Sequence, residues 1–115
     1  MELQAVKYTI WAADRERCRD FYLALFDGGS VKKDNAFITE LDLAGATLSI
    51  HGGGEGKPTW TGLSFQVADV VAGGEKVASL GGILRQKPEP EDGEPAHIAM
   101  CQDPDGNQFM LTRKR

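Results

Sequence analysis

The chain of 115 residues has the length of one compact domain, and its 41% apolar and 26% charged residues are ordinary for a soluble globular protein. The net charge of −4 argues against a nucleic acid or an acidic membrane as the partner, because phosphate binding needs a positively charged surface. No apolar run has the length of a membrane span and no signal-peptide pattern is present, so we expect a cytoplasmic protein whose two cysteines, Cys18 and Cys101, are reduced.

The first half of the sequence predicts a strand, a helix and three further strands. Alternating apolar residues predict a strand over Gln4–Ala12. Asp14 is placed to cap a helix over Arg15–Phe26, which carries one apolar stripe and ends at a pair of glycines. The remaining strands of this half are predicted over Val31–Lys33, Ala36–Leu43 and Ala46–His51.

After a glycine-rich linker, residues 52–60, the same order of elements begins again. Asp69 takes the capping role of Asp14. The predicted elements are a strand over Gly62–Val67, a helix over Val70–Leu80, an acidic loop over Pro88–Pro95, and strands over Ile83–Gln86, Ala96–Gln102 and Asn107–Thr112. Neither half is able to bury its sheet alone. The sequence therefore predicts an α+β fold, a single domain made of two βαβββ modules, residues 1–51 and 61–115.

The segment Asp103–Asn107 predicts a tight turn. Its Asp-Pro and Asp-Gly pairs are turn chemistry, because proline presets φ and glycine accepts a backbone angle that other residues resist. The apolar runs on either side are predicted strands, so the segment closes a hairpin near the C-terminus.

Four features in this order resemble the vicinal oxygen chelate superfamily, which contains glyoxalases, bleomycin resistance proteins and extradiol dioxygenases. They are the strand before Asp14, the aromatic segment Phe21–Phe26, the strand before Asp69 and the turn Asp103–Asn107. The resemblance covers nearly the whole chain and implies two βαβββ modules whose sheets curl into a cup. It also implies that the protein is a homodimer and that the cup is the place of a divalent metal in many members.

The resemblance implies four metal-ligand positions, which His, Glu, Gln or Tyr occupy in the metal-dependent members. Counted from the motifs, they are Lys7, Ser49, Gly62 and Met110 here. A protonated lysine has no lone pair, glycine has no side chain, and a thioether is too soft for magnesium, manganese or iron(II). We therefore expect no metal cofactor. The residues that remain for a relocated site are His51, His97, Glu40, Asp42 and Cys101, without an evident third close ligand.

Strand alternation predicts which side chains line the cup. The predicted ligand-binding residues are Lys7, Trp11, Ser49, His51, Gln66 and Met110. Lys7 is suited to pairing with a carboxylate or phosphate oxygen, and Trp11 to stacking on a planar ligand. The leading hypothesis is metal-independent binding of a small organic molecule, as in the bleomycin-resistance-like branch.

Two alternatives remain open at this point. One is a metal-dependent lyase or dioxygenase whose relocated ligands include His51 and His97. The other is an interaction module with a filled cup, in which Trp11 and Met110 only plug the cavity. The sequence does not decide between modules paired within one chain and modules swapped between two chains.

Overall fold

The structure, a computed structural model, describes residues 1–115 and contains ten helices and strands in the predicted order. They are β1 (Tyr8–Trp11), α1 (Arg15–Leu25), β2 (Ser30–Asp34), β3 (Ile38–Leu43), β4 (Ala46–His51), β5 (Thr59–Gln66), α2 (Val70–Ser79), β6 (Ile83–Gln86), β7 (Ile98–Gln102) and β8 (Asn107–Thr112). Sheet 1 has the strand order β1-β4-β3-β2, and sheet 2 has the equivalent order β5-β8-β7-β6. The predicted α+β fold of two βαβββ modules is therefore confirmed. Neither helix is long and apolar enough to cross a membrane.

Both helices begin at the predicted aspartates. The Asp14 carboxylate accepts a hydrogen bond from the backbone N–H of Arg17 at 3.0 Å. The Asp69 carboxylate accepts from Val71 and Ala72 at 3.0 and 3.1 Å. Each side chain satisfies N–H groups that have no partner inside the helix, which is why these short helices have well-defined starts.

Both helices pack on the same side of the molecule, over one continuous core of 17 buried residues. Helix α1 lies over sheet 1 and also reaches sheet 2, where the ring of Tyr22 lies 5.9 Å from that of Phe109 and the ring of Phe26 lies 4.5 Å from that of Phe65. Helix α2 lies over sheet 2. The apolar side chains of α1 thus join the two modules, as burial of both sheet faces requires.

Two strands differ from the prediction at their ends. The first strand starts at Tyr8 instead of Gln4, and its pairing with β4 begins at Tyr8 and Leu48, two residues into β4. Strand β5 starts at Thr59, inside the segment predicted as linker, and contains a bulge between its pairings to β8. Gly62 lies in this bulge with φ of +74°, a backbone angle that glycine adopts without strain.

The Asp103–Asn107 turn closes the β7–β8 hairpin as predicted, and it also holds the modules together. The Asp105 carboxylate accepts the backbone N–H of Asp14 at 2.9 Å and pairs with Arg17 at 2.7 Å. The Asn107 side chain donates to the backbone carbonyl of Trp11 at 2.8 Å. The turn therefore fixes the start of α1, and with it the end of β1, against the second module.

Candidate functional site

Neither helix covers the opposite faces of the two sheets, which we call the open faces. The open face of sheet 1 carries four of the predicted site residues. Trp11 pairs in register with His51, which places both on this face. Ser49 pairs with Glu40, and the Oε2 atom of Glu40 lies 2.7 Å from Nζ of Lys7. Lys7, at the entry to β1, therefore faces the same side as the strand residues that alternate with it, as predicted.

Two further lysines, Lys32 and Lys33, lie close enough to the Lys7–Glu40 ion pair to influence the Glu40 carboxylate. The hydrogen bond from Lys7 lowers the pKa of Glu40, burial opposes this shift, and the charges of Lys7, Lys33 and Lys32 lower it further. Asp42 is the other carboxylate in register on this face. Three lysines against two carboxylates leave an excess of positive charge here, although the chain as a whole is acidic.

Trp11 and His51 form an aromatic pair beside this charged group. Their ring centroids lie 4.7 Å apart with an interplanar angle of 38°. The Trp11 side chain is still exposed, at 55%, so much of its ring surface is free for a further contact. An exposed indole held by a neighbouring ring is a rigid stacking surface for a planar molecule.

Gln66 and Met110 lie on the open face of sheet 2. Met110 of β8 pairs in register with Ser64 of β5 and Met100 of β7, and Gln66 of β5 pairs with Thr112 of β8. Gln66 lines a cavity together with Thr47 of sheet 1. The four predicted residues of sheet 1 thus share one open face, and the two of sheet 2 share the other.

Comparison with known proteins agrees with this architecture. The sequence profile of the glyoxalase-like domain family matches residues 7–112. This chain belongs to that family. Glyoxalase-like domains are part of the vicinal oxygen chelate superfamily, so the resemblance inferred from the sequence is confirmed. No curated protein is significantly similar to this glyoxalase-like chain.

Solved structures share the fold at low sequence identity. The fosfomycin resistance protein FosX from Listeria monocytogenes superposes with a TM-score of 0.80 at 18% identity, over 100% of this chain and 96% of that protein. FosX from Mesorhizobium loti gives 0.76 at 19% identity, over 100% and 95%. The hypothetical protein SA1046 from S. aureus gives 0.76 at 20% identity, over 99% and 96%. At these identities the likeness establishes the fold and not the activity.

The residues at the four metal-ligand positions of this glyoxalase-like domain do not fit a divalent metal. Lys7 is engaged with Glu40, and Ser49 is buried at 2% exposure. A Cβ atom at Gly62 would lie 3.3 Å from the hydroxyl of Tyr8, which itself donates to the backbone carbonyl of Thr61. Gly62 thus makes room for a tyrosine that links β1 to β5. Together with the thioether of Met110, these positions supply no set of hard ligands.

The two histidines of the chain lie in different surroundings. His51 contacts Trp11 on the open face of sheet 1, and His97 lines a small cavity beside the acidic loop with Glu89 and Glu91. The one group of three or more His, Cys, Asp or Glu side chains with ligand atoms within 4.8 Å of one another contains neither histidine.

That group, Cys18 with Asp103 and Asp105, belongs to the core. Both oxygens of Asp103 are used, accepting from two backbone N–H groups at 2.8 and 3.0 Å, from the Tyr22 hydroxyl at 2.7 Å and from the Asn107 amide at 3.0 Å. Burial raises the pKa of the Cys18 thiol far above its ordinary value, and the charge of Asp103 raises it further. A neutral thiol beside fully hydrogen-bonded carboxylates holds the turn against α1 and does not form a metal site.

The prediction from the sequence missed Trp60. Its side chain is 49% exposed and shares a cleft of about 400 Å³ with Trp11 and Thr9, between the two open faces. The residue was placed in the linker because three glycines precede it. The alternation of Thr59, Trp60 and Thr61, rich in strand-forming residues, was the pattern that would have revealed it.

Proposed function

We propose that this glyoxalase-like domain binds a small, planar organic anion on the open face of sheet 1, without a metal. The observation that carries the proposal is the Lys7–Glu40 pair, in which the Nζ atom lies 2.7 Å from the carboxylate. Lys7 stands where metal-dependent relatives supply a ligand, and its side chain is half exposed. A fixed ammonium group is able to attract the same oxygen atoms that a metal would polarise.

Each residue of this face has a separate role in the proposed complex. The Lys7 ammonium pairs with the anionic oxygen, and Ser49 is buried next to Glu40, the residue that holds Lys7 in place. Trp11 stacks on the planar body of the ligand, with its own ring supported by His51. The excess of lysines draws an anion to this face even though the chain carries a net charge of −4.

Gln66 and Met110 would contact the ligand from the second subunit of a homodimer. The open face of sheet 1 supplies the charged and aromatic groups, and the open face of sheet 2 supplies an amide and a thioether. We infer that a second copy places its sheet 2 over the sheet 1 of the first, and that both sites form at once by symmetry. The exposed apolar side chains of Trp60, Ile83 and Ile98 on sheet 2 are available for such a contact. The two free cysteines suit the cytoplasm, where we place the protein.

A solved relative provides a parallel for the ligand class. The E126Q variant of Listeria FosX was crystallised with Mn(II) and 1S,2S-dihydroxypropylphosphonic acid. That protein holds a metal ion and a phosphonic acid. In the present chain the proposal gives the positive charge to Lys7 instead of a metal.

The first experiment combines metal analysis with anion titration. Purified protein is soaked with Mn²⁺, Fe²⁺, Ni²⁺ or Zn²⁺ and its metal content is measured, and benzoate and phenylphosphonate are then titrated by calorimetry. We expect no stoichiometric metal, and roughly 10- to 150-fold weaker anion binding in Lys7→Met, since a hydrogen bond to a charged group contributes about 1.5–3 kcal/mol. Lys114→Met removes the same charge at an exposed terminal position and is the matched control.

Two results would contradict the proposal. Binding of one metal per chain that His51→Ala abolishes would favour a metal-dependent lyase or dioxygenase with relocated ligands. Equal anion affinity in wild type and Lys7→Met would remove Lys7 from the site. Measurement of the dimer by analytical ultracentrifugation, with and without the anion, tests whether the second copy is part of the site.

A further inference from the structure

A second cavity lies between the two modules, away from Lys7 and His51. Its volume is about 570 Å³, within the range of small-molecule sites. It opens between β4 and the C-terminal half of β5, beside the C-terminal end of α1, in the gap that β1 leaves by starting only at Tyr8. Its lining residues are mostly apolar: Tyr8, Phe26, Leu43, Leu48, Leu63 and Phe65.

The polar groups of this cavity are few. Thr47, Ser64 and Gln66 contribute two hydroxyls and an amide, and Asp27 is the only charged residue among those that line it. The Thr47 hydroxyl already accepts a hydrogen bond from the Lys32 ammonium at 2.8 Å, so the polar groups left for a ligand are those of Ser64, Gln66 and Asp27. Asp27 is exposed and forms no ion pair within the chain. An apolar wall with a few convergent polar groups is the usual composition of a ligand site.

The position of Asp27 indicates the charge that this cavity attracts. The residue follows the last turn of α1, which contains no basic side chain. The unsatisfied carbonyl groups at a helix C-terminus carry partial negative charge, so a carboxylate is unfavourable there and a cation is favourable. A bound cation would interact with both the carboxylate and the end of the helix.

We propose that this cavity binds a hydrophobic amine, with the apolar chain between Leu48 and Leu63 and the ammonium group at Asp27. The ligand class is opposite in charge to the anion proposed for the open face of sheet 1. The two sites share no residue other than Gln66, and the proposed amine site does not depend on Lys7. Failure of Lys7→Met to weaken anion binding would therefore not contradict the proposed amine site.

The test uses hexylamine and hexan-1-ol, which have the same apolar chain and differ in charge. Each is titrated into protein with labelled leucine methyl groups, and binding is followed by NMR. We expect chemical-shift changes concentrated at Leu43, Leu48 and Leu63. We also expect about fourfold weaker binding for each methylene removed, and about three- to fivefold tighter binding of the amine than of the alcohol.

Three variants locate the two parts of the ligand. Asp27→Asn should lose most of the preference for the amine and retain only the small part due to the helix end, whereas Asp92→Asn, a matched change in the exposed acidic loop, should keep the full difference. Ala46→Trp fills the cavity from an exposed edge and should abolish binding of both compounds. Lys7→Met should leave hexylamine binding unchanged, even where it weakens binding of benzoate.

The outcomes separate cleanly. Shifts at the three leucines that disappear in Ala46→Trp, with a preference for the amine that falls in Asp27→Asn, would support the proposal. An absence of binding, shifts centred on Trp11 and Trp60, or a preference for the amine that is undiminished in Asp27→Asn would overturn it. Because Asp27 is exposed, its variant gives an interpretable result even if Ala46→Trp fails to fold.

Discussion

Replacement of Tyr22 by phenylalanine tests whether the Asp103–Asn107 turn joins the two modules. Tyr22 is fully buried in α1, and its hydroxyl donates to Oδ2 of Asp103 at 2.7 Å. Burial raises the pKa of Tyr22 well above its ordinary value, so the hydroxyl remains a donor at any pH used for the assay. In the variant, that carboxylate oxygen keeps only the amide of Asn107, at 3.0 Å, and the weak thiol donor of Cys18, at 3.6 Å.

The size of the effect follows from the charge of the acceptor. A hydrogen bond to a charged group contributes about 1.5–3 kcal/mol. The entropy of unfolding is about 2.1 cal/mol/K per residue, which for 115 residues gives about 240 cal/mol/K. The ratio predicts a fall of about 6–12 °C in the melting temperature, measured by circular dichroism.

Tyr8→Phe is the matched control for this prediction. Its hydroxyl also crosses between the modules, to the carbonyl of Thr61, but the residue is 37% exposed and the acceptor is neutral. A net contribution of about 1 kcal/mol or less gives a fall of no more than about 4 °C. Equal losses in the two variants, or no loss in Tyr22→Phe, would refute the idea that the buried carboxylate fastens α1 to the second module.

Three further predictions concern other parts of the chain. Gly106→Ala should lower the free energy of unfolding, measured in urea, by more than about 2 kcal/mol, because φ is +90° and a Cβ atom would clash with the backbone carbonyl of Lys57. The control Gly93→Ala, where φ is +75° but a Cβ atom would meet no neighbour, should lose only about 1–2 kcal/mol. The ion pair with Lys7 lowers the pKa of Glu40 in the folded state. Wild type should therefore be more stable than Lys7→Met above the unfolded pKa of Glu40, near 4.5, and this difference in unfolding free energy should shrink as the pH falls below it. A difference in unfolding free energy that stays constant across an acid titration would argue against the pair. Burial raises the pKa of Cys101 to about 11, so both cysteines should resist iodoacetamide in the native protein and react after unfolding, as counted by mass spectrometry.

The features that the sequence predicted well are those decided by neighbouring residues. The caps at Asp14 and Asp69 act within three residues of themselves, and the Asp103–Asn107 turn is built from its own five residues. Strand alternation correctly separated buried residues such as Ile10 and Phe109 from exposed ones, because side chains of a strand point to opposite faces regardless of its partner.

The features that it missed depend on partners far away in the chain. Residues before Tyr8 have the composition of a strand, but a strand also requires a partner in register, and Ala46 and Thr47, the first residues of β4, pair only with β3. The contact of Lys7 with Glu40 follows from the order β1-β4-β3, which places residues of two non-neighbouring strands on one face. Glu40 was considered from the sequence only as a possible metal ligand.

Three of the four positions at which the resemblance implies metal ligands have structural roles of their own. Lys7 holds Glu40, and Ser49 is packed between the strands that carry them. Gly62 forms the bulge that accommodates Tyr8, so a side chain introduced there would meet both a backbone angle that disfavours it and the tyrosine that connects β1 to β5. A single substitution at one of these positions would therefore disturb existing contacts before it supplied a ligand.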